Sequence, residues 1–413
     1  MVNSHDIVHE PISKPDKAKQ KLLALLRITQ AINNNFSASD LFRIFEFVLR
    51  EQLQLKKFAY CSNESPWKWT VSHGVGGELE IIEPEYDFTS FNDLSFIDEN
   101  SPAALQGFEI IIPVYHKTKA LAAVLIGGLD IDGLNEIRKE NLEFIQTISN
   151  IIAVAIENKR LAKENIQQEL IKRELEMASE MQNLLFPVSL PKNEQIEISA
   201  YYQPHRQVGG DYYDYIKLSD NEIQFCVADV SGKGVSAALL MSNFQAHLHA
   251  LSPLHSDLRN LIKALNEKVL QSAKGEKFIT LFVARYLINE KSLQFVNAGH
   301  NPPALLSQDT ITHLKEGCMG LGMLDEIPVI KVGNIKIQPQ DLLFCYTDGF
   351  AEQENSAGQS FGNDQLEAFL HSINGDETTK ILDDAMNELN IFRNETPFID
   401  DIALLAIRFK DGG

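Results

Sequence analysis

Val208-Gly209-Gly210-Asp211-Tyr212-Tyr213-Asp214, followed by Val227-Ala228-Asp229-Val230-Ser231-Gly232-Lys233-Gly234-Val235-Ser236, is the stretch on which the reading of this chain turns. Each half joins a short apolar-aromatic segment of strand character to an aspartate near glycine. An aspartate at a strand end, beside backbone that glycine lets approach closely, suits a hard cation. Two further acids of this kind follow, in Tyr346-Thr347-Asp348-Gly349 and in Asp400-Asp401. Asp229 and Asp348 close apolar runs, whereas Asp211 and Asp400-Asp401 open them. In antiparallel neighbours the end of one strand lies beside the start of the next, so the pattern predicts that these acids meet at one edge of a sheet. Converging carboxylates raise one another's pKa unless a cation offsets the charge, and oxygen ligands without a local histidine favour magnesium or manganese over zinc. A two-metal centre with a bridging water, used above all for phosphate ester hydrolysis, is the chemistry expected. Taken singly, each aspartate reads more readily as a turn residue or cap.

Working outward, 413 residues with 44% apolar side chains predict two or three globular domains. With 57 acidic against 37 basic side chains the net charge is −20, which repels nucleic acid, and no basic patch offsets it. Cys61, Cys226, Cys318 and Cys345 are far apart and form no CxxC pair. Cys226 and Cys345 lie in strand-like runs and read as small buried hydrophobes. Residues 1–17 form a polar leader without the apolar core of a signal peptide, and no apolar run approaches the roughly 18 residues of a membrane helix. A cytoplasmic protein is expected.

Residues 18–158 read as a helix-flanked antiparallel sheet. Leu22, Leu25, Leu26 and Ile32 mark one helix, and Ser39 is the expected cap of a second carrying Leu41, Ile44, Phe45 and Val48. Strands are expected from Phe58, at Lys68–Ser72, at Phe108–Tyr115 and at Ala120–Gly127. A long helix is predicted from Leu134 to Phe186, free of proline and glycine. Ile166, Leu170, Met177, Met181 and Leu184 on it have coiled-coil-like spacing, which predicts a homodimer seam in the linker 159–190, with a helix packed on its own domain as the alternative. From 191 onward the chain predicts α+β layers. The strands expected are Ile198–Gln203, Asp211–Leu218, Ile223–Asp229, Phe278–Leu287, Ser292–Asn297, Val329–Ile337, Asp341–Asp348 and Ile402–Phe409. The helices expected are Val235–Leu251, Asp257–Ser272, Asp364–Ile373 and Thr378–Arg393.

Six motifs in this order carry a family resemblance: Glu174–Gln182, Val208–Asp211, Asp229–Gly234, Asn297-Ala298-Gly299-His300-Asn301-Pro302, Tyr346–Gly349 and Asp400-Asp401. On these the chain from about Arg173 to its end resembles the stage II sporulation protein E-like branch of the 2C-type (PPM) serine/threonine protein phosphatases. The resemblance implies an αββα sandwich over 191–413 with two Mn²⁺ or Mg²⁺ ions at its edge. Carried over by motif, Asp211 and Asp229 hold or bridge the metals, the Val230 carbonyl is a ligand, and Asp348, Asp400 and Asp401 complete the set. No side chain is the nucleophile; a metal-bound water is. Arg206 stands where some relatives place a phosphate-binding arginine, and an exposed surface arginine is the alternative. Residues 18–158 resemble a GAF sensory domain, most visibly at Phe108–Gly128 and Ile156–Leu161. Cyclic nucleotide, haem or no ligand are all open for it.

The sequence departs from the family pattern at Ser231, where many relatives have histidine, and at Ala403, where threonine is common. The Ser231–Gly234 segment lacks the Ser or Thr of a P-loop, and Tyr212 replaces the second acid of a diguanylate cyclase signature. His300, beside Asn301-Pro302, reads as a loop-shaping residue rather than a ligand. The function expected from the resemblance is a sensor-regulated hydrolase for phosphoserine or phosphothreonine on a signalling protein. In bacterial relatives that substrate is often an anti-sigma factor antagonist in a partner-switching pathway. The alternative is a degenerate phosphatase fold that relays a signal by docking a partner.

Overall fold

The computed structural model describes residues 17–64, 66–88, 90–129, 139–373 and 375–411. Most of the polar leader, and positions 134–138 of the long helix, lie outside the described residues. The chain divides into two compact units, Met1–Glu169 and Leu170–Gly413.

The first unit is built on strands β1 (Lys57–Asn63), β2 (Trp67–His73), β3 (Ser95–Phe96), β4 (Ile110–His116) and β5 (Lys119–Gly127), in the antiparallel order β2-β1-β5-β4-β3. Strand alternation divides their side chains between two cores. Phe58, Tyr60, Val124 and Ile126 pack with helices α1 (Lys17–Asn33), α2 (Ala38–Phe47) and the first turns of α3 (Lys139–Asn183). Cys61, Ala123 and Leu125 face the other way, into a cluster with Phe88, Phe91, Trp67 and Trp69. The cap of α2 is Ser37 rather than Ser39. The Ser37 backbone is extended (ψ 160°) and its hydroxyl accepts the Asp40 N–H, whereas Ser39 already lies inside the helix.

Helix α3 is a single run of 45 residues. Ile166, Leu170, Met177, Met181 and Leu184, at and just beyond its C-terminal part, are each more than half exposed.

In the second unit, one sheet orders β13 (Gly317–Cys318), β10 (Ser292–Ala298), β9 (Ile279–Leu287), β8 (Glu222–Val230) and β7 (Tyr212–Lys217), with β14 (Gly333–Lys336) also on β10. The other orders β12 (Thr310–His313), β11 (Ala304–Ser307), β15 (Leu342–Tyr346), β16 (Ile402–Phe409) and β6 (Ile196–Gln203). Phe225 and Val227 of β8 meet Leu343 and Cys345 of β15 and Leu405 and Ile407 of β16 in a core between the sheets. The alternate residues Cys226 and Ala228 face α4 (Val235–Leu251) and α5 (Leu258–Ala273). Phe344, Leu404 and Ala406 face α6 (Gly362–Ser372) and α7 (Thr378–Arg393). Each sheet is therefore covered on both sides, in αββα layers. This explains why β8, β15 and β16 read as unbroken apolar runs rather than alternating ones. Cys226 and Cys345 are buried as expected. The strand expected at Val329–Ile337 shrinks to Gly333–Lys336, because only Ser292–Phe295 of β10 offers it partners. The short β11, β12 and β13 were not foreseen; at two to four residues they carry too little pattern to register. Among the described residues no helix is long and apolar enough to cross a membrane.

Candidate metal centre

Strand pairing sets the acids in two pairs. Tyr212 opposes Ala228, so Asp211, just before β7, lies beside Asp229 near the end of β8. Tyr346 opposes Leu404, so Asp348, just after β15, lies beside Asp400, just before β16. The acids thus gather at one end of the sandwich, with one pair from each sheet, instead of along the edge of a single sheet. The mismatch arises because the sequence shows strand ends but not which strands share a sheet.

Electrostatics shows that the pairs face each other. Asp211 is 1% exposed, and burial, then Asp229, holds its carboxyl well above the usual range, with Asp401 and Asp348 adding to the effect. Burial, then Asp348, pushes Asp229 up to about 7, and Asp400 and Asp401 reinforce the shift. Asp348 is pushed up to about 6, first by burial and then by Asp400. Acids on one sheet therefore feel those on the other, and among the described residues Lys233 forms an ion pair with one of them. The Lys233 ammonium lies 2.7 Å from Asp400 Oδ2 and donates to the Ile399 carbonyl at 2.5 Å.

The residues fit a cation. Asp211 Oδ2 is buried with no hydrogen-bond partner among the described residues, an acceptor left open where desolvation makes an orphan costly. Among the described residues no three His, Cys, Asp or Glu side chains close into a ready-made cage. The Val230 carbonyl faces the same loop: a Cβ on Gly210 would lie 3.0 Å from its oxygen.

Asp401 sits differently from the other acids. Its Oδ1 accepts the His205 N–H at 2.7 Å and its Oδ2 the Gly210 N–H at 2.6 Å, so both oxygens fasten the loop that delivers Asp211. Gly209 in that loop has no room for a side chain, since a Cβ would strike the Tyr202 hydroxyl and Asp401 Oδ2. Gly349 is equally constrained, against the Asp401 carbonyl. Arg206 is exposed, forms no ion pair among the described residues, and reaches toward Gly234, where a Cβ would lie 3.8 Å from its guanidinium.

His300 is held as a loop-shaping residue. Asn297 Oδ1 accepts its N–H, Nδ1 pairs with the Thr280 hydroxyl at 2.8 Å, and burial lowers its pKa to about 4, so the ring is neutral. Ser231 accepts the Phe278 N–H on its hydroxyl and Lys277 Nζ on its carbonyl, which spends it on backbone geometry. At 403, where relatives often carry threonine, Thr347 does the bracing: its hydroxyl accepts the Ala403 N–H at 2.8 Å and donates to the Ala403 carbonyl at 3.4 Å, and it acts to lower the Asp211 pKa.

Sequence reasoning assigned no role to Thr347, Lys233, Tyr202 or Gln182. All but Tyr202 lie in the motifs that carried the resemblance, so the signal was present, but their partners are remote in sequence. Gln182, on α3, is 6% exposed; its Nε2 donates to the Gly209 carbonyl at 2.8 Å and its Oε1 accepts the Gly209 N–H at 3.2 Å.

Fold and site define a PPM-type phosphatase domain. The family model described as stage II sporulation protein E (SpoIIE) matches residues 219–410. The chain is 30% identical over 249 residues to the phosphoserine phosphatase RsbU of Bacillus subtilis, covering 59% of this chain and 72% of RsbU. It is 28% identical over 325 residues to the protein IcfG of Synechocystis, covering 72% of this chain and 51% of IcfG, so the match spans about half of that relative. In fold it is similar to the SiaA-PP2C domain of Pseudomonas aeruginosa, with a TM-score of 0.52 and 22% identity over 59% of this chain and 99% of that domain. The chain belongs to the SpoIIE family of PPM phosphatases.

Proposed function

We propose that this chain hydrolyses phosphoserine or phosphothreonine on a partner protein, using two divalent cations, Mn²⁺ or Mg²⁺. The observation that carries the reading is the set of mutually destabilising acids around buried Asp211, with its open oxygen, at the end of the sandwich. Asp211, Asp229, the Val230 carbonyl, Asp348 and Asp400 would hold the ions. When bound, the ions supply an activated water and stabilise the charge that develops on phosphate. Asp401 positions the Gly209-Gly210 loop, and Thr347 aims Asp211. Arg206, exposed and without an ion pair among the described residues, would receive a phosphate.

RsbU is named a phosphoserine phosphatase, and by analogy the substrate here is a phosphorylated anti-sigma factor antagonist in a partner-switching pathway in the cytoplasm. The first unit acts as a GAF-like sensor. The exposed apolar stripe of α3 supports a homodimer seam, through which the sensor regulates hydrolysis. Phosphate release from a phosphoserine protein with Mn²⁺, compared between the wild type and Asp229→Asn, tests the activity; equal rates, or none in either, sink it. The absence of a closed cage among the described residues favours a second reading, a docking module without catalysis. Titration calorimetry with Mn²⁺ decides, because a docking module shows no saturable two-ion binding.

A further inference from the structure

A cleft of about 670 Å³ opens in the first unit, far in sequence from the acids, between the start of α2, strands β1 and β5, and α3. Its floor is apolar, formed by Phe42, Leu121, Ala153 and Ile156. Two polar groups in it are unspent. Tyr60 is 1% exposed and lines the cleft, and no hydrogen bond of its hydroxyl is found among the described residues. Lys163, at the mouth, has no ion pair among the described residues, while its neighbours are engaged: Lys159 with Asn35, and Arg160 with Glu157 and Glu164. In a chain of net charge −20, the cleft is lined by three basic side chains, Lys159, Arg160 and Lys163, against two acidic ones, Glu64 and Glu157.

We propose that this cleft binds a small organic anion with an apolar body of one or two rings. The body lies on the apolar floor, the Tyr60 hydroxyl donates to a polar atom of the ligand, and the anionic group meets Lys163. The volume is that of a site for a drug-sized molecule, and the mix of apolar wall with a few directed polar groups is the usual make-up of one. Ala153, Ile156, Arg160 and Lys163 recur at three and four residues, so one face of α3 forms a wall of the site. Occupancy would therefore bear directly on the helix that continues to Asn183.

The probes are 8-anilinonaphthalene-1-sulfonate and its uncharged counterpart N-phenyl-1-naphthylamine, titrated by fluorescence into the full chain. The expected result is saturable sulfonate binding at one site per chain, at least fivefold tighter than the uncharged probe. Lys163→Ala should erase that preference by weakening only the sulfonate, and Tyr60→Phe should weaken it about threefold. Ala153→Leu, which fills the floor, should abolish binding, whereas Ala31→Leu, in a separate hollow beside α1, should not. Circular dichroism and melting confirm that each variant is folded; Lys163 is exposed, so that variant stands as a test even if Ala153→Leu unfolds. Equal affinity for the two probes, unchanged binding in Lys163→Ala, or loss in Ala31→Leu instead of Ala153→Leu overturns the proposal. So does an affinity that rises on dilution, which would mean that a second copy of the chain fills the cleft.

Discussion

Gln182 grips both backbone polar groups of Gly209, donating to its carbonyl at 2.8 Å and accepting its N–H at 3.2 Å. Gly210, the next residue, donates to Asp401, and Asp211 follows with its open oxygen. One side chain on the long helix therefore sets where the first acid of the site stands. Gln182→Ala leaves two buried backbone groups unpaired, which costs about 1–3 kcal/mol. Its urea midpoint should fall accordingly, and kcat on a phosphoserine peptide should drop by roughly tenfold or more as Asp211 is released, on the scale of a lost positioning contact. Wild-type kcat in this variant would show that the grip is structural only.

Asp401 and Asp229 should separate cleanly under the same Asp→Asn change. At 401 the amide can accept one backbone N–H but must turn its NH₂ toward the other, so stability should fall by about 1–3 kcal/mol. At 229 the change removes a buried charge that its neighbours oppose, so the chelated protein should melt at the same temperature or higher while Mn²⁺ binding collapses. Paired melting curves with EDTA and with Mn²⁺ read both outcomes.

Lys233 competes with any cation for Asp400. The ion pair is partly exposed, with side chains 40% and 31% accessible, which places its worth near the surface value of about 0–1 kcal/mol. Lys233→Met should thus tighten Mn²⁺ binding by up to about fivefold in calorimetry. Weaker binding would mean that the lysine instead holds Asp400 in its ligating position.

The pH dependence has a definite sign. Asp229 and Asp348 are raised to about 7 and about 6, so between pH 4 and 7 the folded, metal-free protein holds more protons than the unfolded chain. These acids therefore take stability away as pH rises through that window. His300, lowered to about 4, works in the opposite direction and costs stability as pH falls from 6.5 toward 4. Mn²⁺ binds the deprotonated acids alone, so the rise in Tm on adding it should grow from pH 5 to pH 7. A rise independent of pH would place the ion elsewhere.

What could be read in the sequence follows from the length of each signal. Val235–Leu251, Thr378–Arg393 and Ile402–Phe409 were expected with the bounds they have, because helical or strand patterning runs through all of each segment. Ser37 was missed in favour of Ser39, since two serines two residues apart offer the same cap and only the backbone turn chooses. The acids were legible because aspartate beside glycine at a strand end is uncommon, and their pairing followed from antiparallel order. Their division between two sheets did not, because that depends on β7 joining β8 and β9 while β6 crosses to β16. Tyr60 and Lys163 gave no warning: each looks ordinary in sequence, and only the fold brings both to one cleft.

Because Asp211 and Asp229 hang from one sheet and Asp348 and Asp400 from the other, the width of the gap between the pairs is a property of the filling between the layers. Facing sheets stand about 10 Å apart, held there by side chains such as Phe225, Phe282 and Leu405. A methyl group added or removed deep in that filling, with no contact to any acid, would act as a shim and reset the reach from one pair to the other. The choice between a larger and a smaller cation would in this sense be written partly in residues that touch none of the acids.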